Sequence, residues 1–234
     1  MEGIKIKQIL KRLIASTGYT LMKSTSSEYL TGLPELIHNQ IVQNSKGVLH
    51  IGGHLAEERH KYDSLHVPVI WIEGIHEYYI QLVDLIRPFP NQSALCYFLS
   101  DKTTDQVPFY LANNDRASSS LFQLSENSGF PGLIMDDKIL VKTHRFDGVV
   151  DSKFLEDFNH IVVDVQGAEL KVLQGFGDLL YCVNSMRLEV STYEVYKGGS
   201  TYVEIKDYLF AYGFYPLWEP RSHSHVDVIF LRKT

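Results

Sequence analysis

Cysteine is nearly absent: the chain of 234 residues holds two, Cys96 and Cys182, far apart and in apolar surroundings. That usage excludes a disulfide framework and a thiolate metal site, and it fits buried, reduced thiols in a cytoplasmic protein. Also missing is any uninterrupted apolar run near the roughly 18 residues that a membrane span requires. The apolar residues at the N-terminus are broken up by Lys5, Lys7, Lys11 and Arg12, so neither a signal peptide nor stable membrane insertion is expected. Positive charge is in deficit, with 22 Lys and Arg against 28 Asp and Glu and a formal net charge of −6. The chain therefore lacks the field that non-specific nucleic-acid binding needs, and no nucleic-acid partner is expected. Nothing in the sequence indicates an oligomeric state.

What is present is 44% hydrophobic residues, enough for one substantial core with a small appendage. Ile4, Ile9, Leu10, Leu13 and Ile14 recur at helical spacing with basic residues between them, and Gly18 ends the pattern. Such a helix covers an edge of the following domain more often than it lies on an anionic membrane. A polar connector, Ser24 to Ser27, and a second helix, Pro34 to Gln43, complete an N-terminal helical extension over residues 1–46.

From residue 47 short apolar runs alternate with helical ones. Strands are expected over 47–51, 69–73, 94–99, 161–165, 186–190 and 226–232, and helices over 55–65, 76–86, 168–180 and 202–212. Alternation of this kind gives an α/β fold, a doubly wound, mainly parallel sheet whose ligands gather at the C-terminal strand ends, here over residues 47–234. The region 106–145 interrupts the rhythm with two strand-like runs, Val107 to Leu111 and Ile139 to Lys142, around a polar loop.

The first strand ends in Gly52-Gly53, and Glu73 ends the second strand 21 residues after Gly52. An acid at that distance from a glycine turn can accept hydrogen bonds from both hydroxyls of an adenosine ribose; a Gly-Gly pair can equally serve only as a tight turn. The residues that follow, His54-Leu55-Ala56-Glu57-Glu58, offer no Gly-x-Gly-x-x-Gly phosphate cradle. Two carboxylates in the first helical turn would repel a pyrophosphate and suit a ligand that carries an amine and a sulfonium. S-adenosyl-L-methionine is thus the better fit than NAD. Loss of Glu73 should weaken that ligand with little change in stability.

Several ordered blocks carry a resemblance: His50-Ile-Gly-Gly-His-Leu-Ala-Glu57, Val69-Ile-Trp-Ile-Glu-Gly74, Leu99-Ser-Asp101, Ser118-Ser-Ser-Leu121, Val163-Asp-Val-Gln-Gly-Ala-Glu169 with Val172-Leu-Gln-Gly175, and Glu189 with Tyr196-Lys-Gly198. Through these, residues 47–232 resemble the FkbM-type family of S-adenosylmethionine-dependent methyltransferases. The resemblance implies a Rossmann-like fold of the class I methyltransferase type. It also implies cofactor contacts from His50, Gly52, Gly53, His54, Glu73, Gly74, Ser100, Asp101 and Asp164. The family's first strand commonly ends in Asp where this chain has His50, its turn often has Gly where Ala56 stands, and many relatives carry Glu at Gln166. Glu57 or Asp164 would then supply the charge that faces the methionine amine.

Asp164 and Glu189 end the fourth and fifth strands and are the catalytic candidates. Methyl transfer needs alignment and a sink for the acceptor's proton, which Asp164 can supply. Its alternative duty is to cap the next helix through the Gly167 and Ala168 amides. A third reading has the two acids hold Mg²⁺, which is not favoured on two carboxylates alone. Ser119, Ser120, His144 and Glu169 are candidate substrate contacts, although Glu169 also suits the dipole of its own helix. His223 and His225 have metal-ligand spacing without a third ligand nearby. The reaction expected is O-methylation of a carbohydrate or polyketide-like small molecule; the competing class is a non-catalytic nucleotide-binding module of the same fold.

Overall fold

The computed structural model describes residues 33–223 and 225–233; the helix expected at residues 4–14 and the connector at Ser24 to Ser27 lie outside them. The chain divides into two units between Asn44 and Ser45. Within the first, α1 (Leu33–Gln43) occupies the segment expected to be the second helix.

The second unit is built on a seven-stranded sheet. In chain order its strands are β1 (Val48–Ile51), β2 (Val69–Ile72), β3 (Gln92–Leu95), β7 (His160–Val163), β8 (Ser185–Ser191), β9 (Phe214–Pro216) and β10 (His225–Arg232). They lie in the order β3-β2-β1-β7-β8-β10-β9, all parallel except β10, which runs antiparallel to both its neighbours. The main helices between them are α2 (Arg59–Ser64), α3 (His76–Ile86), α4 (Glu169–Phe176) and α5 (Tyr202–Ala211). Every residue of β1, β2 and β7 is buried. Helices cover both sheet faces, so these strands read as continuous apolar runs instead of alternating ones. One core face gathers Leu49, Ile51, Ile161 and Val163 under Leu173 and Phe176 of α4.

The strand order reverses between β1 and β7, the strands that follow each running outward in opposite directions. A crevice opens outside the carboxyl ends at such a switch point, where ligands bind in open α/β sheets. This is the doubly wound arrangement expected from the sequence.

Four elements differ from expectation. The helix expected over 55–65 is only α2, Arg59–Ser64, so Glu57 and Glu58 precede its first turn. The run at 94–99 is two strands in different sheets, because β3 pairs with β2 while β4 (Phe98–Leu99) pairs with β6 (Met135–His144). Together β4, β6 and β5 (Thr104–Ala112) make a separate three-stranded sheet, which is what the interruption at 106–145 becomes. The helix expected at 168–180 ends at Phe176, where Gly177 takes φ of 52° and the chain tightens into a 3₁₀ turn, Gly177–Cys182. No helix among the described residues is long and apolar enough to cross a membrane.

Candidate functional site

The crevice at the switch point is a cleft with three kinds of wall. Its first wall is the glycine turn after β1. The Gly52 and Gly53 N–H groups both donate to the Ile72 carbonyl at 3.0 Å, tying this turn to the end of β2. Gly52 has φ of +88°, and a Cβ there would lie 1.8 Å from the Asp164 carbonyl oxygen. His54, also left-handed at φ of 39°, aims its N–H at Glu73 Oε2 (2.8 Å), and the Ile75 N–H donates to Glu73 Oε1 (2.7 Å). Glu73 lines the cleft with Gly52, His54 and Gly74. Burial pushes its pKa up against those two backbone donors. Each carboxylate oxygen keeps acceptor capacity beyond its one N–H.

The second wall is apolar: Phe98, packed against Gly74, with Tyr97 and Phe109. The third is the connection between β5 and β6, which brings Arg116, Ala117, Ser119 and Leu121 to the cleft. Asp164 and Gln166, from the end of β7, complete it.

Several residues expected at the cofactor lie elsewhere. His50 shares a sheet face with its register partner Trp71. Its ring stacks on Trp71 at 4.5 Å and its Nδ1 is 3.0 Å from the Tyr62 hydroxyl. Burial lowers its pKa to about 4, so it is a neutral core histidine and does not line the cleft. Gly53 backs onto helix α3, where a Cβ would meet Leu82 at 2.8 Å. Asp101 accepts the Ser100 hydroxyl at 3.0 Å and pairs with Lys171 of α4 at 3.0 Å. Burial opposes its charge, but Lys171 and Ser100 outweigh it and hold the carboxyl below its ordinary value. This pair fastens the loop after β4 to α4, outside the cleft.

The substrate candidates separate similarly. Ser119 lines the cleft, though its hydroxyl already accepts the Ala112 N–H at 3.0 Å. Ser120 is buried behind it and donates to the Gln166 carbonyl at 2.6 Å. His144 lies edge-on to Tyr97 at 5.0 Å, with its Nδ1 buried and unpartnered; burial lowers its pKa, and it does not line the cleft.

The two acids do come together. Gln166, left-handed at φ of 56°, donates from Nε2 to Asp164 Oδ1 (2.6 Å) and to Glu189 Oε2 (2.7 Å). Its Oε1 accepts the Tyr196 hydroxyl at 2.6 Å. On the far side of Glu189, His225 Nε2 is 3.2 Å from Oε1, and its Nδ1 is 2.6 Å from the Ser191 hydroxyl. Burial and the adjacent Glu189 charge raise the Asp164 pKa well above the ordinary range. Burial also opposes the Glu189 charge, but His225 outweighs it and keeps that carboxyl below its ordinary value. The two carboxyls, bridged by one amide, titrate as a pair in which the surroundings favour the proton on Asp164 and the charge on Glu189.

A cation bridging the two acids would need the position that the Gln166 amide fills. Among the described residues no group of three or more His, Cys, Asp or Glu could hold a metal ion. The donor set as arranged therefore does not fit Mg²⁺.

Asp164 does not cap α4 through the Gly167 and Ala168 amides: the Gly167 N–H, with that of Val165, goes to Glu169 Oε1 at 3.1 Å each, the Ala168 N–H goes to the Val165 carbonyl, and Glu169 so braces the turn before the helix. Glu169, expected as a substrate contact, is buried beneath that turn and does not line the cleft. Burial raises its pKa to about 7. The unfolded chain releases this proton near its ordinary value and the folded chain keeps it to about pH 7, so stability drains as pH climbs through that window. Glu169→Gln keeps the acceptor oxygen without the buried charge. Its stability relative to the parent should improve by about 3 kcal/mol between pH 5 and pH 8, read from urea midpoints. A gap constant with pH would contradict this origin.

Sequence reasoning passed over Gln166 as a hub and His225 as the partner of Glu189. The first depends on a left-handed backbone, and the second on the β8–β10 register, in which His225 faces Ser191. Neither leaves a spacing signal.

The family model described as the Methyltransferase FkbM domain matches residues 50–216. No curated protein matches the chain. Among solved structures, a precorrin-6y C5,15-methyltransferase from Geobacter metallireducens GS-15 is similar at 10% identity, over 90% of this chain and 94% of that one, with a TM-score of 0.45. The magnesium protoporphyrin IX methyltransferase of Synechocystis PCC 6803, solved with bound SAM, is similar at 9% identity over 97% of both chains, with a TM-score of 0.45. The N-terminal domain of EvdMO1, solved in the presence of SAH and D-fucose, is similar at 9% identity, covering 90% of this chain and 85% of that one, with a TM-score of 0.46.

Proposed function

Since the chain belongs to the FkbM methyltransferase family, we propose that it transfers a methyl group from S-adenosyl-L-methionine to an oxygen of a carbohydrate or polyketide-like small molecule. Residues 47–234 form the catalytic domain in this reading, and residues 1–46 a helical extension.

Glu73 carries the cofactor assignment. It is buried, lines the cleft, and is fixed through both oxygens by backbone N–H groups, which leaves acceptor capacity for two ribose hydroxyls. The aromatic wall of Tyr97, Phe98 and Phe109 suits a planar base. The absence of a phosphate cradle after Gly53 counts against a dinucleotide.

The bound cofactor supplies a methyl group on a sulfonium, open to in-line attack by a nucleophile. Asp164 is the acid that faces the cleft, so it meets the acceptor hydroxyl. It takes the proton the acceptor loses as it passes its own to Glu189, and the acid pair goes from one negative charge to none. Gln166 keeps the two carboxyls in register for that exchange. An acceptor with a hydroxyl to deprotonate fits this arrangement.

Calorimetric titration tests the reading. S-adenosyl-L-methionine should bind at one site and NAD should not. Binding of NAD in preference, or of neither ligand, would overturn the cofactor assignment.

A further inference from the structure

We propose that His54 is a positioning residue whose imidazolium form fastens the 113–134 segment over the nucleoside end of the cleft. That segment joins β5 to β6 and contributes Arg116, Ala117, Ser119 and Leu121 to the cleft wall. At its near end the Asp115 carbonyl accepts two hydrogen bonds, from His54 Nε2 at 3.0 Å and from the Tyr78 hydroxyl at 2.6 Å. His54 Nδ1 is 2.9 Å from Glu57 Oε1. A carbonyl and a carboxylate only accept, so both ring nitrogens must carry hydrogen for both bonds to exist. Neutral imidazole can make one of the two.

The same residue holds the Glu73 carboxylate through its backbone N–H, so one residue joins the ribose-facing acid to the segment that roofs it. The roof needs holding. Asp115 and Arg116 are consecutive non-glycine residues in the left-handed region, at φ of 52° and 62°. The second of them is tied by its guanidinium to Asp136 and the Ala112 carbonyl.

The charged and titratable groups around the ring are Glu57 on its own loop, Glu73 at the end of β2, Tyr78 and Glu77 on α3, and Asp115 and Arg116 on the segment itself. Burial disfavours the imidazolium, but the bonds to Glu57 and to the Asp115 carbonyl outweigh it and hold the ring's pKa above the ordinary histidine value. Below that raised pKa both bonds are made; above it the one remaining ring hydrogen goes to the charge-assisted bond with the Glu57 carboxylate, and the bond from Nε2 to the Asp115 carbonyl is lost.

His54→Asn, a residue that tolerates the left-handed backbone, removes the imidazolium with little strain on the turn. In the free, full-length protein, backbone amides of residues 115–121 should exchange about tenfold faster in the variant than in the parent at pH 6, the equivalent of one charge-assisted hydrogen bond. The ratio should approach one by pH 9, because the parent has lost the same bond; taking a ratio cancels intrinsic exchange chemistry. The ligand arm rests on the cofactor reading: the ratio of S-adenosylhomocysteine dissociation constants, variant over parent, should follow the same course. An exchange ratio that stays constant across this range would overturn the proposal and leave His54 a pH-independent packing residue. If S-adenosylhomocysteine fails to bind the parent protein, the cofactor reading falls, and the exchange ratio alone decides the role of His54.

Discussion

Glu73→Ala should raise the dissociation constant for S-adenosyl-L-methionine by about 10²–10⁴-fold, the loss of two charge-assisted hydrogen bonds of about 1.5–3 kcal/mol each. The structure adds a second effect that the sequence alone does not show. Both Glu73 oxygens hold backbone N–H groups, those of His54 and Ile75. Alanine strips both of their partner in a buried setting, so thermal stability should fall as well, in contrast to the small change expected from sequence. Glutamine does not escape this cost, since its amide nitrogen would face one of the two N–H donors. Affinity must therefore be measured at a temperature where circular dichroism shows the variant folded. An unchanged dissociation constant in a folded variant would remove Glu73 from the ribose.

Asp164→Asn should lower turnover by about 10²–10⁴ with an identified acceptor, while cofactor affinity changes far less. The substitution is well matched to its surroundings. An Asn oxygen can still accept from Gln166, and an Asn amide can donate to Glu189 as a protonated Asp164 would, so the pair keeps its geometry. What is lost is the capacity to take a proton from the cleft. Full turnover in this variant, measured in single-turnover experiments, would leave Asp164 without a part in the chemistry, and its position beside Glu189 would need another explanation.

The sheet was legible because its strands are buried on both faces. Val48–Ile51, Val69–Ile72 and His160–Val163 are short, largely apolar runs that, alternating with helical segments, fit a covered parallel sheet, and helix α3 begins and ends where its periodicity does. The break inside 94–99 was not legible, because apolar character does not say which neighbour a strand pairs with; two residues suffice to carry the chain from one sheet to another. The three-residue strand β9 carries too little pattern to be seen. At the site, Glu73 and Asp164 were found because strand ends and their spacing are one-dimensional signals. His50 was misplaced because it precedes Ile51, the strand's last residue and one that lines the cleft, by one position, which reverses the face. Asp101 looked like a ligand group for want of any sign that Lys171, seventy residues on, would claim it. Glu169 rather than Asp164 takes the amides of the turn before α4, a choice set by which carboxylate folds under that turn.

Gly52 has a mechanical consequence. With no side chain there, the turn after β1 lies against the Asp164 carbonyl so closely that even a methyl group would be driven to within 1.8 Å of it. The two loops thus lie in direct backbone contact, with the Asp164 N–H on the Ile51 carbonyl, while the Gly52 and Gly53 N–H groups tie the first loop to Ile72. That contact fixes how closely the ends of β1 and β7 approach, and with them the spacing between Gly52 and Asp164 on the floor of the cleft. The 113–134 segment is held differently: its 120–125 part is pinned by backbone bonds to Tyr110, Val195 and Lys197, whereas Asp115 at its near end is held by the side chains of His54 and Tyr78.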